Sequence, residues 1–116
     1  MKTVLIVDDH EGVRAAARRM LVAGGFDVVG EAADGAEALE AIARLRPDAI
    51  LLDVQLPDFD GFEVASRLRG NGYCPAVVLT SSRDAYEFGG LVERSGVRGF
   101  IPKAELTGSR LAALLI

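Results

Sequence analysis

The chain of 116 residues has no tryptophan, one cysteine and no run of Lys or Arg. Its single cysteine, Cys74, cannot form an internal disulfide, so we expect a reducing compartment, and the cytoplasm in particular. The net charge of −4 argues against nucleic acid or an anionic membrane as a direct partner. The apolar runs are too short for a signal peptide or for a helix that crosses a bilayer. The length predicts a single domain over residues 1–116.

The stretch 49–57 is the most informative part of the chain. Residues 49–52 are apolar without alternation, which is typical of a strand buried on both faces. The run ends at Asp53, and because a buried carboxylate is costly, we expect Asp53 to lie where the strand emerges. A turn-forming segment at 58–61 follows. A strand that carries an acid to the edge of a sheet is typical of a ligand site in an open α/β fold, although Asp is also common at strand ends.

Apolar runs and helical periodicities alternate along the whole chain. The pattern predicts strands at residues 3–7, 27–32, 49–53, 76–79 and 98–101. It predicts helices at residues 11–23, 36–45, 62–68, 84–93 and 107–115. We expect Gly70-Asn71-Gly72 to close the third helix, and the pair Gly89-Gly90 to weaken the fourth by about 1 kcal/mol per glycine. Pro102 cannot donate to a ladder, which favours an edge position for the last strand.

Five alternations of strand and helix predict an α/β fold with a parallel sheet covered by helices on both faces. The expected architecture is the doubly wound, five-stranded, flavodoxin-like (βα)5 fold with strand order 2-1-3-4-5. In that order the first and third strands are neighbours at the switch point, where ligands bind. The fold class therefore also predicts where a site would lie.

Polar residues follow four of the five predicted strands. Asp8 and Asp9 follow the first, Asp53 ends the third, Thr80 follows the fourth and Lys103 follows the fifth. Because the carboxyl ends of parallel strands meet at one edge, we expect these side chains to converge. Three close carboxylates repel one another, and a divalent cation would compensate them. The available ligands are oxygens, which favours Mg²⁺ over zinc or copper.

The predicted cluster has the parts that phosphoryl transfer needs. Asp53 can act as the nucleophile, Lys103 and the metal can neutralise the phosphoryl oxygens, and the Thr80 hydroxyl can donate to them. Taken singly, each residue also has a structural explanation as a cap, a loop residue or a solvated charge. His10 has no metal partner at helical spacing, so we expect it to be a surface residue. The coincidence of four strand ends favours the functional interpretation.

Four motifs resemble those of the receiver domains of two-component response regulators, and the resemblance covers essentially the whole chain. They are Val7-Asp8-Asp9-His10, Leu52-Asp53-Val54-Gln55-Leu56-Pro57 with Asp60-Gly61, Leu79-Thr80-Ser81 and Phe100-Ile101-Pro102-Lys103. The resemblance implies that Asp8 and Asp9 hold Mg²⁺ together with Asp53 and the main-chain carbonyl of Gln55. It further implies that Asp53 is the phosphoacceptor and that Lys103 binds the phosphate.

The resemblance also implies a switch. Thr80 would move toward the new phosphoryl group, Phe100 would rotate inward, and the face formed by the segments 84–93, 98–101 and 107–115 would change. The expected phosphoryl donor is a sensor histidine kinase or a phosphotransfer protein. A homodimer through the same face is a further expectation. Such a domain takes up and loses its own phosphoryl group and is not an enzyme that turns over outside substrates.

Other functions remain as alternatives on the same fold. A phosphate-independent interaction module is the main one. An aspartyl-phosphate hydrolase commonly has an acid two residues past the nucleophile, where this chain has Gln55. A nucleotide or flavin binder needs a glycine- or hydroxyl-rich loop after the first strand, where Asp8 and Asp9 would repel phosphate. The motif ending in His10 also resembles receivers joined to helix-turn-helix DNA-binding domains, although we expect a stand-alone receiver because no linker follows the last helix.

Overall fold

The structure, a computed structural model, describes residues 1–68 and 72–115. Its strands are β1 (Thr3–Val7), β2 (Asp27–Ala32), β3 (Ala49–Asp53), β4 (Ala76–Ser81) and β5 (Gly99–Pro102). Its helices are α1 (Glu11–Ala23), α2 (Gly35–Leu45), α3 (Gly61–Arg67), α4 (Leu91–Arg94) and α5 (Gly108–Leu115). Single 3-10 turns lie at Ala85–Phe88 and Lys103–Glu105.

The five strands form one parallel sheet in the order β2-β1-β3-β4-β5, which confirms the predicted fold. In the β3–β4 register Asp53 lies opposite Thr80, and Val7 of β1 lies opposite Leu52 of β3. β5 is an edge strand, as its Pro102 suggested. The register therefore brings the carboxyl ends of β1, β3 and β4 to the same edge of the sheet.

Two hydrophobic clusters cover the two faces of the sheet. All five residues of β3 are buried, because helices pack on both of its sides. Ile50 and Leu52 belong to the cluster that includes α2 and α3, whereas Leu51 belongs to the cluster that includes α1 and α5. The unbroken apolar run at 49–52 is thus explained by a strand that contributes to both cores. Within the described residues, no helix is long and apolar enough to cross a membrane.

Helix starts follow local capping chemistry. The Asp34 carboxylate accepts a hydrogen bond of 2.8 Å from the Glu37 N–H and so caps α2. Thr107 caps α5 by accepting from the Arg110 N–H at 3.2 Å. α1 has the predicted bounds, but the His10 side chain at its N-cap position makes no capping hydrogen bond. Of the segment 70–72 that was expected to end α3, residues 70 and 71 lie outside the described residues.

The continuous helix predicted at 84–93 is wrong. The segment forms a 3-10 turn over Ala85–Phe88 and then the four-residue helix α4. The break falls at Gly89, whose φ of +61° is a conformation that a residue with a side chain rarely adopts. The capping box between Asp84 and Glu87 starts the 3-10 turn, and Gly89 ends it. β4 also extends two residues beyond its predicted end and includes Thr80 and Ser81.

Candidate functional site

Lys103 joins two buried carboxylates at the carboxyl edge of the sheet. Its Nζ lies 2.9 Å from Asp8 Oδ2 and 3.2 Å from Asp53 Oδ2. Asp53 ends β3, as expected, but Asp8 and Asp53 are only 1% and 2% exposed, so both carboxylates are buried there. Burial is tolerated here because the ammonium pairs with both carboxylates at once. Two residues separated by 45 positions in sequence thus share one counter-ion.

The second oxygen of Asp53 is also engaged. Its Oδ1 accepts a hydrogen bond of 3.1 Å from the Gln55 N–H, just after the strand ends. Burial raises the pKa of Asp53, and the charge of Asp8 adds to this, although the Gln55 N–H and Lys103 oppose both effects. Burial alone would lower the pKa of Lys103, but the contacts with Asp8 and Asp53 outweigh it and raise that pKa. The ammonium therefore stays charged.

Asp9 and His10 lie on the outer side of Asp8. The backbone N–H of His10 donates to Asp8 Oδ1 at 2.8 Å. His10 Nδ1 lies 3.1 Å from Asp9 Oδ1 and 3.4 Å from Asp8 Oδ1. Asp9 is one-third exposed and the His10 ring is 68% exposed. The imidazole is thus a surface group, as expected, but it also faces Asp8 and Asp9. Helical spacing does not reveal this contact, because the turn after β1 brings consecutive residues together.

Thr80 lies beside Asp53 on the neighbouring strand. It is 2% exposed, and its hydroxyl has no hydrogen-bond partner among the residues that the structure describes. A buried hydroxyl without a partner costs free energy and is uncommon in folded proteins. Its position at the carboxyl edge of the sheet, where open α/β folds bind ligands, makes it a candidate donor to an incoming polar group.

Ser81 contributes a contact that the sequence did not predict. Its hydroxyl donates to the Gln55 side-chain Oε1 at 3.2 Å and accepts from the Arg83 N–H at 3.1 Å. This bond ties the end of β4 to the loop that follows β3. The role of the Gln55 main-chain carbonyl as a metal ligand remains a prediction. A sequence signal for the Ser81 contact was absent, because the two residues meet only through the sheet.

Phe100 is half-buried in a cluster of aromatic rings. Its ring centroid lies 6.0 Å from that of Phe88, which lies 5.7 Å from that of Phe62. The three rings therefore connect β5, the 3-10 turn before α4 and the start of α3. Phe88 was not identified from the sequence, which predicted one helix over residues 84–93.

The charge balance of this edge favours a cation. Asp8, Asp9 and Asp53 can supply three negative charges, and Lys103 is the ammonium that contacts the buried pair. The outward oxygens of Asp8 and Asp9 are hard ligands that suit a divalent cation. The unpartnered hydroxyl of Thr80 suits an anionic oxygen. The donor set therefore fits a cation and an oxyanion side by side.

The chain matches the family model described as response regulator receiver domain over residues 4–115. It is 36% identical to the transcriptional regulatory protein PdtaR of Mycobacterium tuberculosis, over 94% of this chain and 58% of that protein. It is 28% identical to the DNA-binding transcriptional activator EvgA of Escherichia coli, over 95% of this chain and 54% of the activator. The chain thus spans about half the length of these curated relatives.

The fold is also similar to solved receiver structures. One is the signal receiver domain of the proposed response regulator NarL from Mycobacterium tuberculosis, with a TM-score of 0.85 and 35% identity over 97% of this chain and 95% of that one. That structure is a domain of nearly the same extent as the present chain.

Proposed function

Because the chain belongs to the response regulator receiver domain family, we propose that it is a single receiver domain that switches by phosphorylation of Asp53. The phosphoryl group would come from the phosphohistidine of a sensor histidine kinase or a phosphotransfer protein. The observation that carries the proposal is the pairing of the buried Asp8 and Asp53 with one ammonium, Lys103, beside the unpartnered hydroxyl of Thr80.

Asp53 is the nucleophile in this proposal. One of its oxygens forms a bond to phosphorus as the phosphorus–nitrogen bond of the donor breaks. Its orientation is supported by the Gln55 N–H on one oxygen and by Lys103 on the other. Lys103 then neutralises an oxygen of the new phosphoryl group, and the Thr80 hydroxyl donates to another. The bond that Thr80 lacks in this structure would be made in the phosphorylated state.

Asp8, Asp9, Asp53 and the main-chain carbonyl of Gln55 would hold Mg²⁺. When bound, this ion supplies positive charge to the oxygens of the phosphoryl group. The residues fit it because the donors are hard oxygens and because the carboxylates exceed the charge that Lys103 can balance.

The change at Asp53 would reach the surface through Thr80 and Phe100. Movement of Thr80 toward the phosphoryl group would leave room for the Phe100 ring, which now packs on Phe88. The output face, formed by α4, β5 and α5, would then change, and a homodimer through this face is part of the proposal. A switch from a mostly inactive to a mostly active population needs about 5.5 kcal/mol of difference in binding free energy between the two states. A phosphoryl dianion that is bound differently in the two states would supply much of this difference.

The chain would act in the cytoplasm without binding nucleic acid or membrane itself. Its relatives include transcriptional regulators, which favours a regulatory role over turnover of outside substrates. A match to a protein-glutamate methylesterase of Hahella chejuensis covers only 23% of that protein. Gln55 disfavours a hydrolase, since its amide cannot transfer protons as an acid would. A phosphate-independent interaction module is the remaining alternative.

The test is phosphorylation by a small phosphodonor. Wild-type protein incubated with acetyl phosphate and Mg²⁺ should gain one phosphoryl group by intact mass, whereas Asp53→Asn should gain none. Asp27→Asn, which changes an exposed acid at the start of β2, is the matched control and should react like the wild type. No gain in the wild type, or an undiminished gain in Asp53→Asn, would overturn the proposal. Partner binding that is unaffected by Asp53→Asn would favour the interaction module.

A further inference from the structure

We propose that the His10 imidazole is a further ligand of the cation held by Asp8 and Asp9, and that it makes this site prefer divalent first-row transition ions over Mg²⁺. The inference rests on the metal site of the proposed function and goes beyond it, because it assigns a nitrogen ligand to a site otherwise made of oxygens. His10 is the only histidine in the sequence.

The spacing of the ligand atoms supports coordination. His10 Nδ1 lies 3.1 Å from Asp9 Oδ1 and 3.4 Å from Asp8 Oδ1, and one ligand atom from each of the three residues falls within a span of 4.8 Å. Neighbouring ligands of an octahedral ion with bonds of about 2.1 Å are about 3.0 Å apart. In a tetrahedral site with bonds of about 2.0 Å they are about 3.3 Å apart. The two distances from the His10 nitrogen match both geometries.

Lys103 determines which oxygen of Asp8 faces the imidazole. Its ammonium binds Asp8 Oδ2 on the buried side, which leaves Oδ1 on the outer side. The backbone N–H of His10 donates to that same Oδ1 and keeps it beside the ring. The outer oxygens of the acidic pair and the ring nitrogen thus converge on one point, which solvent can reach because the ring is largely exposed.

Ligand chemistry then sets the preference. Carboxylate oxygens suit Mg²⁺ and Mn²⁺, whereas imidazole nitrogen suits Zn²⁺, Ni²⁺ and Cu²⁺. Mg²⁺ gains little from a nitrogen ligand and retains its waters. The competing role of Nδ1 is a hydrogen bond donated to Asp9, because a distance of 3.1 Å also fits that contact. The two roles of the ring are separable by experiment.

The first experiment compares metal affinities by calorimetry. Tag-free protein is titrated with Mg²⁺ and with Ni²⁺, in the wild type, His10→Ala and His10→Asn. We expect Ni²⁺ to bind the wild type more tightly than Mg²⁺, and His10→Ala to weaken Ni²⁺ binding at least about tenfold while leaving Mg²⁺ binding unchanged. His10→Asn keeps an N–H donor toward Asp9 and should be as weak toward Ni²⁺ as His10→Ala. Unchanged Ni²⁺ affinity in His10→Ala, or full recovery in His10→Asn, would overturn the inference.

The second experiment observes the nitrogen directly. Cu²⁺ bound to the wild type should show imidazole nitrogen modulation in pulsed electron paramagnetic resonance, and this signal should vanish in His10→Asn. Since the chain has one histidine, the signal can come from no other imidazole. A wild-type spectrum without it, under conditions where Cu²⁺ is bound, contradicts coordination by His10.

The two proposals fail in different ways. Loss of the His10 effect, with Mg²⁺ binding and Asp53 phosphorylation intact, rejects only the nitrogen ligand. Two results would reject the metal site on which both proposals rest. One is a wild-type protein that binds neither Mg²⁺ nor Ni²⁺. The other is an Asp9→Asn variant that binds both ions as tightly as the wild type does. Retained metal binding without phosphorylation rejects the phosphoacceptor role of Asp53 alone.

Discussion

At the scale of single residues, Lys103 controls the charge balance of the carboxyl edge. It lies within 3.2 Å of both Asp8 and Asp53, whose burial would otherwise be very costly. One ammonium cannot balance two buried carboxylates, and this residual charge is consistent with the raised pKa of Asp53, which burial and Asp8 both favour. In the proposed function, this loss of stability accompanies the binding of a cation and a phosphoryl group.

We predict that Asp53→Asn stabilises the protein in the absence of divalent cations. The substitution removes one buried charge and leaves Lys103 paired with Asp8, so the free energy of unfolding should rise by about 0.5–2 kcal/mol. Urea unfolding of wild type and variant, with Asp27→Asn as the control, measures the change. A lower stability of Asp53→Asn would show that Lys103 needs both carboxylates. A stabilised variant would also ensure that its failure to accept phosphate is not a failure to fold.

At the scale of secondary-structure elements, Asp58 joins the loop after β3 to the start of α2. Its Oδ1 accepts from the Gly35 N–H at 2.8 Å and its Oδ2 accepts from the Ala36 N–H at 2.9 Å. These are free donors of the first helical turn, which favours a carboxylate there. In the same loop, a Cβ at Gly61 would lie 2.5 Å from the Asp53 carbonyl oxygen, so only glycine lets α3 begin so close to β3. The loop beside Asp53 is thus held from two sides.

We predict that the contribution of Asp58 to stability is lost in acid. Burial raises its pKa, but the N–H groups of Ala36 and Gly35 outweigh this effect and hold the pKa below its ordinary value. A lowered folded-state pKa means that the stabilisation is present above the unfolded-state value of about 3.9 and disappears as the pH falls through the folded-state value.

Asp58→Asn should therefore have a lower melting temperature than the wild type at neutral pH. The difference in melting temperature should narrow as the pH falls below about 3.9. Thermal melts across this range, followed by circular dichroism, measure the difference. Asp27→Asn should show no difference at neutral pH. A difference that stays constant through the acid range would mean that the Asp58 charge does not stabilise α2.

The short α4 shows how an element can escape prediction. The sequence has helical periodicity at 84–93, but the helix is broken at Gly89. This residue has a positive φ, which glycine adopts readily. The Phe88 ring, at the end of this turn, lies beside the Phe62 and Phe100 rings. Tertiary packing thus overrides a local preference that two glycines had already weakened.

At the scale of the whole molecule, the sheet separates two cores that meet only through it. Side chains alternate along β3, so that Leu51 enters the core with α1 and α5 and Leu52 enters the core with α2 and α3. Both cores must form for both faces of the central strand to be buried. We therefore expect damage to one core to destabilise the site at the end of the same strand.

We predict that Leu51→Ala lowers the free energy of unfolding by about 2–5 kcal/mol, because it leaves a cavity beneath α1 and α5. Val22→Ala, at a position 57% exposed on α1, is the matched truncation and should change stability by no more than about 0.5 kcal/mol. Urea unfolding followed by circular dichroism measures both. A small effect of Leu51→Ala would mean that this core can collapse around the missing side chain.

The sequence by itself determined the five strands, their order and the edge at which Asp8, Asp53, Thr80 and Lys103 would meet, because apolar runs and turn residues act locally and parallel strands all end on one side. Only the tertiary structure decided that Asp53 is buried, that Lys103 pairs with both acids, that His10 faces the acidic pair and that Ser81 binds Gln55. These contacts depend on how loops turn and how far side chains reach across neighbouring strands. No local pattern carries that information, since the partners become neighbours only when the sheet has formed.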